Sequence, residues 1–134
     1  DIILVDAFNS DAIPTHLLTR EALSLYDKKL APQGTLVFHI SSRYYDLAAV
    51  ITATNAERWE ALGKKSNEVL KSFEKDALYC VLRRKGDDVS ALRAAGWRSM
   101  EGYPNKCAPW SDDYINTLRP LYLMLRPQSW HNDR

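Results

Sequence analysis

The chain has 134 residues, 46% of them hydrophobic and 26% charged, which suits one soluble domain with a single core. Eighteen Lys and Arg against 17 Asp and Glu leave a formal charge of +1, so no overall field draws it to nucleic acid or an anionic membrane. No apolar run reaches the roughly 20 residues of a membrane helix, the start lacks the basic-then-apolar order of a signal peptide, and Cys80 and Cys107 are a poor disulfide framework; a cytoplasmic setting is expected.

Asp1 to Phe8 reads as a strand, and its run Ile2-Ile3-Leu4-Val5 is apolar on both faces, as a central strand covered on both sides requires. A chain that opens inside a strand, with no initiator Met, is expected to be processed or partial. After Pro14, Thr19 caps a helix with Leu23, Tyr26 and Leu30 at helical spacing, stopped by Pro32-Gln33-Gly34. Thr35 to Ser42 is a second buried strand with a polar exit, and Asp46 precedes a helix carrying Leu47, Val50, Ile51 and Thr54 on one face. Strand, helix, strand, helix predicts a parallel α/β sheet.

Further on, a short strand at Glu60 to Ser66 and a stronger one at Asp76 to Arg84 form a candidate antiparallel pair. Asp87 or Asp88 caps a short helix through Leu92 to Ala95, and Gly96 ends it. Trp97 to Arg134 reads as irregular closing structure with one short helix near Ser111 to Leu118. Without repeat, linker or low-complexity tract, residues 1 to 134 count as one domain.

In open α/β sheets ligands bind beyond the carboxyl ends of the strands, which selects Asp6 to Asp11 and His39 to Tyr45. A third candidate is Ala108 to Asn116, where Trp110, Asp112, Asp113 and Tyr114 put two anions beside two aromatic rings. Carboxylates with ring faces suit a cation, each such ring contact being worth roughly 0.5 to 2 kcal/mol. Each feature also has a plain structural reading: Asp6 can end a strand, Asp11 can sit in a turn, Asp112 and Asp113 can favour a helix start, and His39 can be a hydrogen-bonded core residue. His16, His39 and His131 have no zinc-like spacing to the cysteines, so no metal is expected. The five glycines form no phosphate loop, and Ser10, Ser41 and Ser42 lack a nucleophile-elbow context. Lys64-Lys65 and Arg83-Arg84-Lys85 are solvated strand ends, and no nucleic-acid partner is expected.

The stretches VDAFNSDAIPTHLLTREAL, LAPQGTLVFHISSRYYDL and PWSDDYINTL resemble the carboxyl-terminal half of a spermidine synthase-like protein. That family has the class I S-adenosylmethionine-dependent methyltransferase fold. The resemblance implies a partial Rossmann-like, mostly parallel sheet in which strands 4, 5, 7 and 6 of the family are present, the seventh antiparallel and inserted between 5 and 6. It also implies that the cofactor-binding first strands are not among these residues, and that the 134 residues do not catalyse alone. Asp6 matches the family's carboxylate that orients and deprotonates the attacking amine, with Ala7 and Phe8 on the cofactor side. Asp11, Asp112, Asp113, Tyr114 and Trp110 would line the acceptor side. The implied co-substrate is S-adenosylmethionine or its decarboxylated form, and the partner a small amine. Dedicated spermidine synthases carry a second Asp three positions after the first; this chain has Asn9 there, with Asp11 the nearest acid. Two alternatives stand beside aminopropyl transfer: a methyltransferase fragment, and a non-catalytic α/β module. A homodimer through the exposed edge of the first strand is a further expectation.

Overall fold

A computed structural model describes residues 1–7, 14–42, 44–55, 57–65, 77–104 and 106–124. Its sheet begins with β1 (Ile2–Val5) and β2 (Thr35–His39), which pair in parallel from Ile2 against Thr35 to Val5 against Phe38. Between them run a turn of 3-10 helix at Thr15–Leu18 and helix α1 (Arg20–Lys29). Helix α2 (Leu47–Thr54) leads from β2 to β3 (Trp59–Lys65), and β4 (Leu78–Arg84) returns between β2 and β3, antiparallel to both. Helix α3 (Ser90–Ala94), the two-residue β5 (Arg98–Ser99) and α4 (Leu118–Met124) follow. The strand order is β1-β2-β4-β3-β5.

Alternation along the strands sorts side chains onto two faces. Ile3, Val5, Leu36, Phe38, Cys80, Leu82, Trp59 and Ala61 share the face that carries the main core, with Leu23 and Leu30 from α1 and Ala48, Ala49, Val50 and Ile51 from α2 and its surroundings. A fully buried Leu or Phe of this kind contributes about 1.5–3 kcal/mol. On the opposite face, α3 is tied to β3 by Arg93 on Glu60 at 2.8 Å and by the Lys64 ammonium on the Ala95 carbonyl at 2.7 Å. Beside β1 that face is bare: Ile2 is 70% exposed and Leu4 60%.

Local chemistry sets the helix starts. The Thr19 hydroxyl accepts the Ala22 N–H at 3.3 Å, and the Asp46 carboxylate accepts the Ala49 N–H at 3.0 Å. At the other end of α1, Gln33 takes a left-handed conformation (φ 58°), and a Cβ on Gly34 would fall 2.5 Å from the Asp1 carboxylate and 2.9 Å from the Ala31 carbonyl oxygen. Only glycine fits there. Arg84, at the end of β4, binds the Asp27 carboxylate at 2.6 Å, donates to the carbonyls of Asp27, Leu30 and Ala31, and lies 5.7 Å from the Trp59 ring centre.

Four expectations need correction. The sheet is mixed and mostly antiparallel: β1–β2 is its parallel ladder, because β4 inserts a reversed strand between β2 and β3, and β5 adds another antiparallel pairing. β1 is an edge strand of the described sheet rather than a central one, and only one of its faces is covered. No helix spans Ser111 to Leu118; Ser111 and Tyr114 exchange backbone hydrogen bonds across a tight turn, and α4 starts at Leu118. Asn116 accepts the Arg119 N–H at 3.2 Å, and Pro120 falls in the first turn, where a missing N–H costs nothing. The residue that immediately precedes α3 is Val89 rather than Asp87 or Asp88, although Asp88 accepts the Ser90 N–H at 2.8 Å.

Candidate functional site

Asp6 follows the last residue of β1, and His39 is the last residue of β2. Because Val5 pairs with Phe38, the parallel register brings the next positions side by side. The Nδ1–H of His39 donates to Asp6 Oδ1 at 2.8 Å, and Nε2 faces the Ser41 hydroxyl at 3.0 Å. Ser41 Oγ also accepts the Leu78 N–H at 2.7 Å, so the start of β4 anchors the hydroxyl. The imidazole stacks on Tyr79, ring centres 4.8 Å apart and planes at 22°. Three polar side chains thus form one hydrogen-bonded row across the carboxyl ends of two strands. The Asp6 side chain is 60% exposed and that of His39 26%, so the row opens outward at its acidic end. Asp6 Oδ2 has no hydrogen-bond partner among the described residues.

The other expected site residues are placed elsewhere. The Thr19 hydroxyl donates to Asp112 Oδ1 at 2.7 Å, and the Asp112 N–H donates to Glu21 at 3.0 Å, so Asp112 is fastened to the first turn of α1. Trp110 is fully buried: its carbonyl accepts the Arg20 N–H, its own N–H donates to the Thr54 hydroxyl at 3.2 Å, and its ring is a core residue rather than a pocket wall. Asp113 and Tyr114 are exposed in the turn. No hydrogen bond or ion pair links this segment to Asp6 among the described residues. Ala7 is exposed, while Phe8 and Asp11 lie outside the described residues.

The strand-end rule selects the stretch His39 to Tyr45, but neither His39 nor Ser41 was given a role in the expected site. The signal was present in the sequence: two parallel neighbours with apolar interiors place their first polar residues together, and these are Asp6 and His39. Ser41 lies two positions beyond His39.

A cavity of about 790 Å³ lies away from this row, between α2 and the β3–β5 edge. Ala49, Asn55, Trp59, Met100, Tyr103 and Cys107 contribute to its wall. Burial there, aided by the Asp46 charge and opposed by Arg119, pushes the Cys107 thiol up to about 11, so it is not a nucleophile near neutrality. Cys80, fully buried, is pushed higher still. The cavity's Glu60 is held by Arg93. The Asp6 row has the stronger claim because it joins a carboxylate, an imidazole and a hydroxyl through hydrogen bonds. No group of three or more His, Cys, Asp or Glu side chains suited to a metal occurs among the described residues, and no described helix is long and apolar enough to cross a membrane. No family model, curated protein or solved structure matches the chain.

Proposed function

We propose that this chain is the acceptor-side part of a spermidine synthase-like transferase, in which an amine attacks a carbon next to the sulfonium of decarboxylated S-adenosylmethionine. The observation that carries the reading is the Asp6 carboxylate at the carboxyl end of β1, with one oxygen fixed by His39 and the other without a partner among the described residues. A fixed anion at a strand end attracts an ammonium toward the row, and orientation of the attacking nitrogen there is a large part of catalysis. Two features support the family reading. The order β1-β2-β4-β3, with β4 reversed, is the order in which the family's fourth, fifth, seventh and sixth strands would lie. The bare Ile2 and Leu4 at the edge are what a sheet continued by further strands and helices would cover.

Of the described residues, Asp6 and Ala7 are the ones this reading places nearest the sulfonium. The described glycines make no phosphate-type turn, so the proposal assigns adenosyl recognition to strands outside these 134 residues. The sulfonium supplies an activated carbon; the chain's own residues bind the cation and orient its nitrogen. Methyl transfer from S-adenosylmethionine would use the same carboxylate and differ in the carbon attacked.

The test is transfer from labelled decarboxylated S-adenosylmethionine and S-adenosylmethionine to a panel of amines, using the full-length polypeptide that contains these residues. Asp6→Asn should lower the rate at least about 100-fold. An unchanged rate would remove Asp6 from the mechanism. Calorimetric titration of the 134 residues alone should show no tight binding of either sulfonium or of methylthioadenosine; tight binding would contradict the division of the site.

The free β1 edge with its exposed Ile2 and Leu4 favours one second reading, a non-catalytic module that pairs through this edge with another copy of the chain. Light scattering coupled to size exclusion would show a dimer in that case, and a clean monomer at high concentration would count against it.

A further inference from the structure

We infer that the Asp6–His39–Ser41 row is a proton path: the acceptor ammonium gives its proton to Ser41 Oγ as the Ser41 O–H proton passes to Nε2 of His39, while Asp6 positions the imidazole and attracts the cation. This inference rests on the transferase reading. It departs from the expectation that Asp6 itself takes the proton.

The hydrogen bonds set the direction. A carboxylate accepts only, so Asp6 Oδ1 calls for a proton on Nδ1, and a neutral ring then has its lone pair on Nε2. Nε2 faces Ser41 Oγ at 3.0 Å, which makes the serine O–H its donor. Leu78 N–H occupies one lone pair of Oγ at 2.7 Å and leaves the other for an incoming ammonium N–H. The Tyr79 ring, stacked at 4.8 Å, holds the imidazole plane. Every position on the path is therefore assigned: donor, acceptor, and a base oriented by a third group.

The chemistry needs such a base. Simple carboxylic acids lose their protons near pH 4, imidazolium groups near 6.5 and alkylammonium groups near 10, so an imidazole narrows the mismatch with an amine by about two and a half units. In the balanced step, the ammonium N–H bond breaks and its proton goes to Ser41, whose own proton goes to Nε2. The freed amine lone pair forms the N–C bond, and the electron pair of the breaking C–S bond stays on sulfur, giving a neutral thioether. The imidazolium, still bonded to the Asp6 carboxylate, returns its proton to solvent after product leaves.

Steady-state kinetics of the full-length polypeptide test this through His39→Ala. The path requires kcat to fall about 100-fold, with KM for amine and sulfonium within about threefold of wild type, and added imidazole to restore at least a tenth of the lost rate. A kcat within about threefold of wild type overturns the inference, and so does a loss that imidazole does not repair. A readout that needs no variant and no turnover is the ¹H–¹⁵N correlation spectrum of the wild-type His39 ring. A proton on Nδ1 and a bare Nε2 support the path, whereas a protonated Nε2 at the assay pH overturns it even if His39→Ala does not fold. Wild-type protein that transfers to no amine would sink the transferase reading and the path together; active protein indifferent to His39 would sink the path alone.

Discussion

Asp6 directly follows β1 and Asp46 caps the helix that comes after β2, and they do opposite work. Asp46, buried, caps α2 through Ala49 and accepts the Tyr103 hydroxyl at 3.1 and 3.3 Å, so both of its oxygens are used inside the fold. Asp6 has one oxygen fixed by an imidazole and lies mostly exposed. Asp112 is intermediate: its side chain is fastened to Thr19 while its backbone stays at the surface. What separates a structural carboxylate from an available one here is the number of oxygens the fold has already used. Residue type does not distinguish them.

That contrast can be broken by measuring stability at each acid. Asp46→Ala should cost the most, about 3 kcal/mol, since it removes a helix cap and the acceptor of a buried hydroxyl together. For a domain of this size that lowers Tm by about 10 °C. Asp112→Ala should cost about 1 kcal/mol, because the buried Thr19 hydroxyl retains the His16 carbonyl at 3.2 Å as a longer partner. Chemical denaturation resolves a difference of that size.

The Cys107 thiol, beside Asp46, gives a smaller, pH-dependent signal. Its ordinary value of 9.0 is raised to about 11 by burial first and the Asp46 charge second, so folding favours the neutral form. The stabilisation is complete below pH 9.0 and is lost as pH rises through about 11. The midpoint difference between wild type and Cys107→Ala, followed by urea denaturation from pH 8 to 11, should therefore shrink toward alkaline pH. Growth of the difference would reverse the sign argued here. Smallest of all, Asp6→Ala should change stability by no more than about 0.5 kcal/mol, as expected of a largely exposed side chain. A loss near that of Asp46→Ala would make Asp6 a structural residue and remove the contrast.

The sequence made the local devices legible. Thr19 and Asp46 were readable as caps, because a cap depends on residues three positions away. Strand edges were readable within a few residues, and the β3–β4 pairing was readable as two strand-like segments joined by a charged connection. The row from Asp6 to Ser41 was harder, since His39 lies 33 positions from Asp6 and the contact exists only through the β1–β2 register. Trp110 misled for a related reason: two neighbouring acids gave its segment a surface character, while Arg20 and Thr54, both distant in sequence, hold it inside. Asn116 and Pro120 carried the signal for α4, a cap followed by a first-turn proline, which the expected helix near Ser111 to Leu118 did not use.

Arg84 gives the molecule unequal ends. One guanidinium fastens the last turn of α1, the bend into β2 and the indole at the start of β3, all at the end of the sheet opposite Asp6. Removing that one side chain would therefore free a helix end, a bend and an indole together.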